Sequence, residues 1–129
     1  MQISNAGMNA TEMLDRLMDA GVRVGKVVDA LPETRLGRHI AGQLIRCGTS
    51  PAPNYAEGCA AESRDDFIHK LSIVLKELRE TGVWLQYIVR SKLLPNHKLA
   101  DLLDEVEQLG RIIARSLVTA KQRGRRQRS

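Results

Sequence analysis

The chain has 129 residues, 43% of them apolar and only 3% aromatic, which predicts one domain with an aliphatic core. Twenty Lys and Arg exceed fifteen Asp and Glu by a net charge of +5, too small an excess for a uniformly basic nucleic-acid-binding domain. Neither a run of about eighteen apolar residues nor a basic and then apolar leader occurs, which argues against a membrane-spanning helix and predicts a cytoplasmic protein.

The first predicted helix ends before Pro32, because its apolar residues recur at alternating spacings of four and three up to that point. Gly21 and Gly25 lie inside this helix, and each weakens it by roughly 1 kcal/mol relative to alanine. We therefore expect the helix to depend on tertiary packing and the glycines to mark the close approach of a neighbour. Its predicted buried residues are Met13, Leu17, Ala20, Val24, Val27 and Leu31.

The second predicted helix is interrupted within the sequence CGTSPAP. Gly48 suits a left-handed residue that closes a helix, Ser50 suits the cap of the next one, and Pro51 suits its first turn. Pro53 also falls among the first donors, which have no intrahelical partner. We predict one kinked helix, whose arms carry Cys47 and Cys59 too far apart for a disulfide bond, so both are expected to be free thiols. The predicted apolar stripes are Leu36, Ile40, Leu44 and Cys47 before the break, and Tyr55, Ala56, Cys59 and Ala60 after it.

The third predicted helix begins at a capping box formed by Ser63 and Asp66. Its main seam has spacings of four and three over more than twenty residues, and a second apolar row runs beside it at intervals of seven. The seam consists of Phe67, Leu71, Val74, Leu78, Thr81, Leu85 and Ile88, and the second row of Ile68, Leu75, Gly82 and Val89.

A fourth helix is predicted after a turn at Pro95, with Asn96 as its cap. Short connections favour antiparallel neighbours, so we predict an all-α, up-down-up-down four-helix bundle with a kinked second helix over residues 1–120. Residues 121–129, KQRGRRQRS, are predicted to form a flexible basic tail. The buried side of the fourth helix is expected to carry Leu99, Leu102, Val106, Leu109, Ile113 and Ala120, flanked by Leu103, Ile112 and Leu117.

Four apolar residues fall off the predicted seams, namely Ile73, Trp84, Tyr87 and Ile112. A four-helix core does not bury them all, and a surface patch of this kind marks an association face. We therefore predict a homo-oligomer that uses these residues. The alternative is that they are scattered surface residues without a partner.

Two sets of cations are candidate phosphate contacts. Because residues 1–120 contain fifteen residues of each sign, the whole excess charge lies in the tail. A basic ridge on the second helix is the other candidate, since its stretch contains only one acid, Glu33. The alternatives are a solubilising tail and a helix face paired with acids of a neighbouring helix. The candidate residues are Arg35, Arg38 and Arg46 on the ridge, and Lys121, Arg123, Arg125, Arg126 and Arg128 in the tail.

A metal site is the only catalytic arrangement that the sequence suggests. Asp66 and His69 have the spacing of one carboxylate-histidine pair of a di-iron bundle, but such a site needs two pairs and further glutamates. Glu57, Glu77 and Glu80 are expected to form salt bridges or hydrogen bonds rather than to act in acid-base chemistry. Their expected partners are Arg38, Arg46 and Arg79. We predict no enzyme, no cofactor and no small-molecule substrate.

The run GTSPAPNYAEGCAAESRDDFIHKLSIVLKELRETGVWL resembles the signature of the 23S rRNA-intervening-sequence proteins, a four-helix-bundle family. The similarity extends from Arg38 to Leu94, and the chain departs from the family pattern at Pro51 and Ala52. The most specific residues are Gly48, Ser50, Asn54, Ala56, Glu57, Ser63, Phe67, the KELRE stretch from Lys76 to Glu80, Trp84 and Leu85.

The resemblance implies both an assembly and a partner. The family is similar to the accessory variability protein of diversity-generating retroelements, which forms a basic pentameric barrel that binds nucleic acid and a reverse transcriptase. A homopentamer that contacts RNA, DNA or a nucleic-acid enzyme is therefore the first functional hypothesis. The alternatives are an assembly with a protein partner only, and a metal enzyme built on Asp66 and His69.

Overall fold

The computed structural model describes residues 8–128, which fold as an all-α arrangement of five α-helices and one short 3₁₀ turn. The second and third helices follow each other without a loop and together take the place of one kinked helix, so the architecture is a four-helix bundle. The predicted all-α class and its four-helix arrangement are confirmed. Residues 1–7 and Ser129, which the sequence assigned to the bundle and the tail, lie outside the described residues. The elements are α1 (Ala10–Ala30), α2 (Arg35–Thr49), α3 (Pro51–Cys59), α4 (Arg64–Arg90), the 3₁₀ turn (Asn96–Lys98) and α5 (Ala100–Arg128).

Helix α1 begins at Asn9, whose side-chain oxygen accepts a hydrogen bond from the Glu12 backbone N–H at 2.9 Å. Of its predicted buried residues, all but the half-buried Val27 lie in the core. A methyl group on Gly21 would lie 3.4 Å from the Gly48 carbonyl oxygen, so this glycine marks the expected close approach. Gly25 does not, because nothing lies within 4 Å of that position.

The break between α2 and α3 differs from the sequence prediction in two respects. Helix α2 continues through Gly48 to Thr49, so Gly48 is not a left-handed terminator. Gly48 is buried against α1, and only glycine fits there, because a Cβ would lie 2.6 Å from Cγ1 of Val24. Ser50 keeps right-handed helical angles and does not cap α3. The break arises instead because Pro51 and Pro53 donate no backbone hydrogen bonds.

Helix α4 matches its prediction closely. The Ser63 hydroxyl accepts a hydrogen bond from the Asp66 backbone N–H at 3.1 Å, which confirms the predicted cap. All seven residues of the predicted seam are buried. The helix ends in a left-handed turn at Lys92 (φ 59°), and the Leu93 N–H bonds back to the Ile88 carbonyl at 3.1 Å, the pattern of a Schellman motif.

Helix α5 is longer than predicted at its C-terminal end. Asn96 is not its cap, because the 3₁₀ turn intervenes and α5 starts only at Ala100. Residues 121–128, predicted as a flexible tail, continue α5 as helix. Gly124 lies against the start of α4, where a Cβ would be 3.2 Å from Cδ of Arg64. The six residues of the predicted buried side and Leu117 are all in the core.

Within the part of the chain that the structure describes, no helix combines the length and the hydropathy that crossing a bilayer requires.

Candidate interaction surfaces

The seam between α2 and α4 contains a group of charged side chains around one arginine. Arg46 reaches across from α2 and donates from Nη1 to the Glu77 carboxylate at 3.2 Å and from Nη2 to Glu80. The Glu77 residue is only 7% exposed, so its charge depends on this partner. Lys70 pairs with Glu57 at 2.6 Å in the same way between α4 and α3. The predicted pairing with an arginine is confirmed for Glu77 and Glu80, whereas Glu57 pairs with a lysine instead.

An aromatic group continues this seam towards the end of α4. Trp84 Nε1 donates to Glu80 at 3.1 Å, which ties the indole to the charged group. The His39 ring meets the indole edge to face at 5.7 Å, and the Tyr87 ring lies 5.2 Å away on the other side. These contacts hold the indole in one orientation. Trp84 is only half-buried, because its ring partners His39 and Tyr87 are themselves exposed.

Beneath the charged group, a buried thiol links the same two helices. The Thr81 hydroxyl donates to the Glu77 carbonyl at 2.8 Å and lies 3.3 Å from the Cys47 sulfur. Burial raises the pKa of the Cys47 thiol. Because the thiolate is the reactive form, this cysteine has a structural place in the core and little nucleophilic character.

The structure does not assemble the predicted basic ridge as one surface. Arg46 is turned towards α4 by its two glutamates, and Arg38 donates to the Glu33 carbonyl oxygen at 2.7 Å. Arg35 is exposed at the start of α2. Arg46 therefore pairs with acids of a neighbouring helix, which was the alternative to a phosphate-binding ridge.

The four predicted association residues differ in their exposure. Tyr87 has 52% of its surface exposed. Trp84 and Ile112 are half-buried and pack against the core, and Ile73 is also half-buried. The bundle thus covers three of the four residues in part, and the aromatic pair on α4 forms the exposed portion of this group.

Charge is separated along α5 in a way that the sequence reasoning missed. The first two turns contain Asp101, Asp104, Glu105 and Glu107, and no acid follows Glu107. Residues 108–129 then contain seven cations. The sequence contains this acid-free stretch, but the predicted boundary between bundle and tail after Ala120 divided it between two segments. Its cations are Arg111, Arg115, Lys121, Arg123, Arg125, Arg126 and Arg128, and the first six are exposed in the structure.

Grooves are open between helices on the described part of the bundle surface, and two of them lie on different edges. The first lies between α1 and α3, has a volume of about 530 Å³ and is lined by no charged side chain. The second lies between α4 and α5, with a volume of about 420 Å³. The sequence reasoning missed both grooves, because each is formed between residues of two different helices. The first is lined by Leu14, Met18, Gly21, Val22, Ala52 and Pro53 among others, and the second by Leu78, Arg79, Gly82, Val83, Gly110 and Arg111 among others.

The suggested metal pair has no further ligands nearby. Asp66 and His69 are both exposed on α4. Among residues 8–128, no three His, Cys, Asp or Glu side chains come together in a group that would hold a metal ion. The described residues therefore do not assemble the ligand set of a bundle metal enzyme.

Comparison with known proteins identifies a family and a solved structure of similar fold. The family model described as 23S rRNA-intervening sequence protein matches residues 10–115. A crystal structure of a protein of unknown function from the S23 ribosomal protein family of Bacteroides thetaiotaomicron is similar to this chain with a TM-score of 0.77. The two chains are 26% identical, and the match covers 84% of this chain and 96% of the other. No match was found among curated proteins.

Proposed function

The chain belongs to the 23S rRNA-intervening sequence protein family, and from this premise we propose that it is a self-associating, non-enzymatic bundle that contacts nucleic-acid phosphates through the basic half of α5. The proposed partner is RNA or DNA, either alone or together with an enzyme that acts on it. By its resemblance to the retroelement accessory protein, the assembly is a homopentamer of bundles whose helices alternate in direction.

The observation that carries the nucleic-acid proposal is the acid-free second half of α5. Arg111 and Arg115 are one helical turn apart, and the exposed Arg125 lies about 21 Å from Arg111 at 1.5 Å per residue. Cations spread over such a length can each neutralise a phosphate of the same strand, and residues 108–129 contain no acid that would repel that strand.

Three pairs of contacts support the alternating order of the helices. Arg46 of α2 meets Glu77 and Glu80 of α4, whereas Glu57, further along the chain in α3, meets the earlier residue Lys70. The kinked second helix and α4 therefore run in opposite directions. Gly124 near the end of α5 lies against Arg64 at the start of α4. In such a bundle the basic end of α5 lies beside the start of α4, and a ring of copies related by rotation would present all the basic ends on one side.

The nucleic-acid proposal is tested by the salt dependence of binding. A Lys121→Gln/Arg125→Gln variant and a matched Lys92→Gln/Lys98→Gln control lose the same charge from exposed positions. Binding to a labelled RNA strand, and to a DNA duplex of the same sequence, is measured between 50 and 200 mM salt, conditions over which phosphate contacts weaken steeply. We expect the slope of log K against log salt for the duplex to become shallower by roughly 2 in the variant, and to stay unchanged in the control. Equal slopes in all three proteins, or binding that salt does not weaken, would contradict the proposal.

The second candidate function is an assembly that binds only protein, and the exposed aromatic pair on α4 favours it. Trp84 and Tyr87 present a rigid, partly apolar surface of the kind that protein interfaces use. We expect Trp84→Ala to lower the oligomer mass in light scattering before it lowers the melting temperature. An unchanged mass with a lower melting temperature would assign Trp84 to the core of the single subunit instead.

A further inference from the structure

Building on the proposed self-association, we infer that the α1–α3 groove of one copy receives the α4–α5 edge of the next copy, so that two different surfaces of the chain form one repeated head-to-tail interface. The occupant of the groove is a second copy of this chain, held by apolar contact and by opposite charges.

The two surfaces lie on opposite edges of the bundle. Helix α1 packs against α2 and α3, α3 packs against α4, α4 packs against α5, and α5 packs against α1, which closes the four positions into a square. The α1–α3 edge and the α4–α5 edge are therefore opposite sides of that square. A contact between two different sides generates a ring or a filament, whereas a two-fold dimer would need one self-complementary side.

Both surfaces are apolar and shaped for contact. In the α1–α3 groove, Met18 is 47% exposed and Val22 is 60% exposed, next to the ring of Pro53. On the opposite edge, Val83 is 51% exposed. A Cβ added to Gly110 would meet nothing within 4 Å, so the edge is recessed beside Val83 and can accept a side chain. Burial of such residues between copies removes apolar surface from water.

Charges on the rims of the two surfaces are opposite. Asp15 and Asp19 are exposed on α1, seven and three residues before Val22. At these spacings both lie near Val22 on the helix surface. Arg79 and Arg111 line the α4–α5 groove, together with a single acid, Glu107. Two acids therefore border the first surface and two arginines border the second, which favours the pairing of unlike edges and disfavours the pairing of like ones.

One end of the first surface, at Asp15, lies close in height to the side of the second surface that Val106 lines. Arg16, the neighbour of Asp15, pairs with Glu105 at 2.6 Å. Glu105 is adjacent to Val106, which lines the α4–α5 groove with Arg79. Rotation about an axis parallel to the bundle leaves heights unchanged, so copies in a ring would bring Asp15 level with Arg79 without sliding.

The test reverses the charges of each surface separately. Asp15→Lys/Asp19→Lys changes the first surface, and Arg79→Glu/Arg111→Glu changes the second. Both pairs are exposed, and a matched Asp29→Lys/Glu33→Lys control adds the same charge as the first variant at exposed positions outside the grooves. Mass is measured by light scattering after gel filtration, and folding by circular dichroism.

We expect each double variant to stay helical and to run as a single subunit, and we expect the control to assemble like the wild type. The chain with all four changes should assemble again, because its reversed edges match. An equimolar mixture of the two double variants should assemble only by alternation, into even-numbered or open species, since a ring with an odd number of members cannot alternate.

Three outcomes would count against one or the other proposal. A wild-type protein that runs as a single subunit would overturn the proposed self-association itself. A wild type that assembles, with double variants of unchanged mass, would overturn only this interface. Double variants that dissociate but are not restored by mixing or by combination would show that the two edges are not each other's partners.

Discussion

Helix α4 has two differently built flanks, one facing α2 and the other facing α5. The α2 flank carries Glu77, Thr81 and Trp84, which are tied to α2 or to neighbouring side chains by hydrogen bonds and ring contacts. The α5 flank carries Leu78, Gly82 and Val83 beside an open groove. Directional contacts fix the register of α2 against α4, whereas around the groove aliphatic residues and a glycine contribute the packing between α4 and α5, and such burial is not directional.

The difference indicates which side of α4 can accept contacts from another molecule. A flank whose polar groups are all paired loses energy when any member is removed, because a buried group is left without its partner. A flank of aliphatic residues and glycines leaves surface for another molecule. The α2–α4 seam is therefore the more rigid flank of α4, and the α4–α5 edge is the flank with an open groove.

The largest expected effect is that of Leu78→Asp, which places an unpaired charge at a position that is 3% exposed. Its cost of several kcal/mol is comparable with the total stability of about 5–15 kcal/mol, so the bundle should unfold. Circular dichroism against temperature measures the result, and Lys76→Asp, at an exposed position of α4, is the control. A cooperatively folded Leu78→Asp protein would show that the aliphatic seam does not hold the bundle.

A smaller loss is expected for Glu77→Gln on the α2 flank. The amide fills the same volume but loses the charge-assisted hydrogen bond from Arg46, which should lower the free energy of unfolding by about 1–2 kcal/mol. Urea denaturation measures the change, with the exposed Glu62→Gln expected to stay within about 0.5 kcal/mol of the wild type.

The salt dependence of the same two proteins tests whether the Glu77 contribution on the α2 flank is electrostatic. The difference between wild type and Glu77→Gln should shrink as salt rises, because the Arg46 side chain is half exposed and its attraction is screened. A difference that stays constant from low to high salt would assign the loss to packing rather than to charge.

The smallest effect is expected for Gly82→Ala on the α5 flank. An added methyl group would have Leu103 Cδ1 as its nearest neighbour at 3.9 Å, an ordinary contact, so the helical preference of alanine should raise the free energy of unfolding by about 0.5–1 kcal/mol. Gly48→Ala should do the opposite, since its methyl group would lie 2.6 Å from Val24. Urea midpoints that fall equally in both variants would show that the α5 flank is as tightly packed as the α1–α2 contact.

The apolar seams were predictable because a helix repeats its faces at a fixed interval. Every seam residue of α4, and every residue of the predicted buried side of α5, lies in the core. The Ser63 cap was also predictable, because its hydrogen bond involves residues only three positions apart. Predictions about isolated glycines and polar residues at helix ends failed more often. Gly48 was predicted to end a helix and Asn96 to cap one. Gly48 instead allows α2 to approach Val24, and α5 begins only at Ala100.

The candidate site was predictable only in its residue types. The sequence indicated that Glu77 and Glu80 would form salt bridges, but Arg46 could equally have stayed in a basic ridge with Arg35. The choice depends on how far α2 stands from α4, a distance that no local pattern contains. The two grooves depend on the same long-range geometry, since each is formed by residues from two helices.

The amino-acid sequence by itself determined the number of helices, their buried faces and the accumulation of positive charge after Glu107. These properties follow from periodicity and from residue order, which a chain carries before it folds. Only the tertiary structure decided which arginine pairs with which acid, that residues 121–128 extend α5 as helix, and that the α1–α3 and α4–α5 grooves lie on opposite edges of the bundle. Such features depend on distances between helices, and those distances are set when all the buried faces pack together at once.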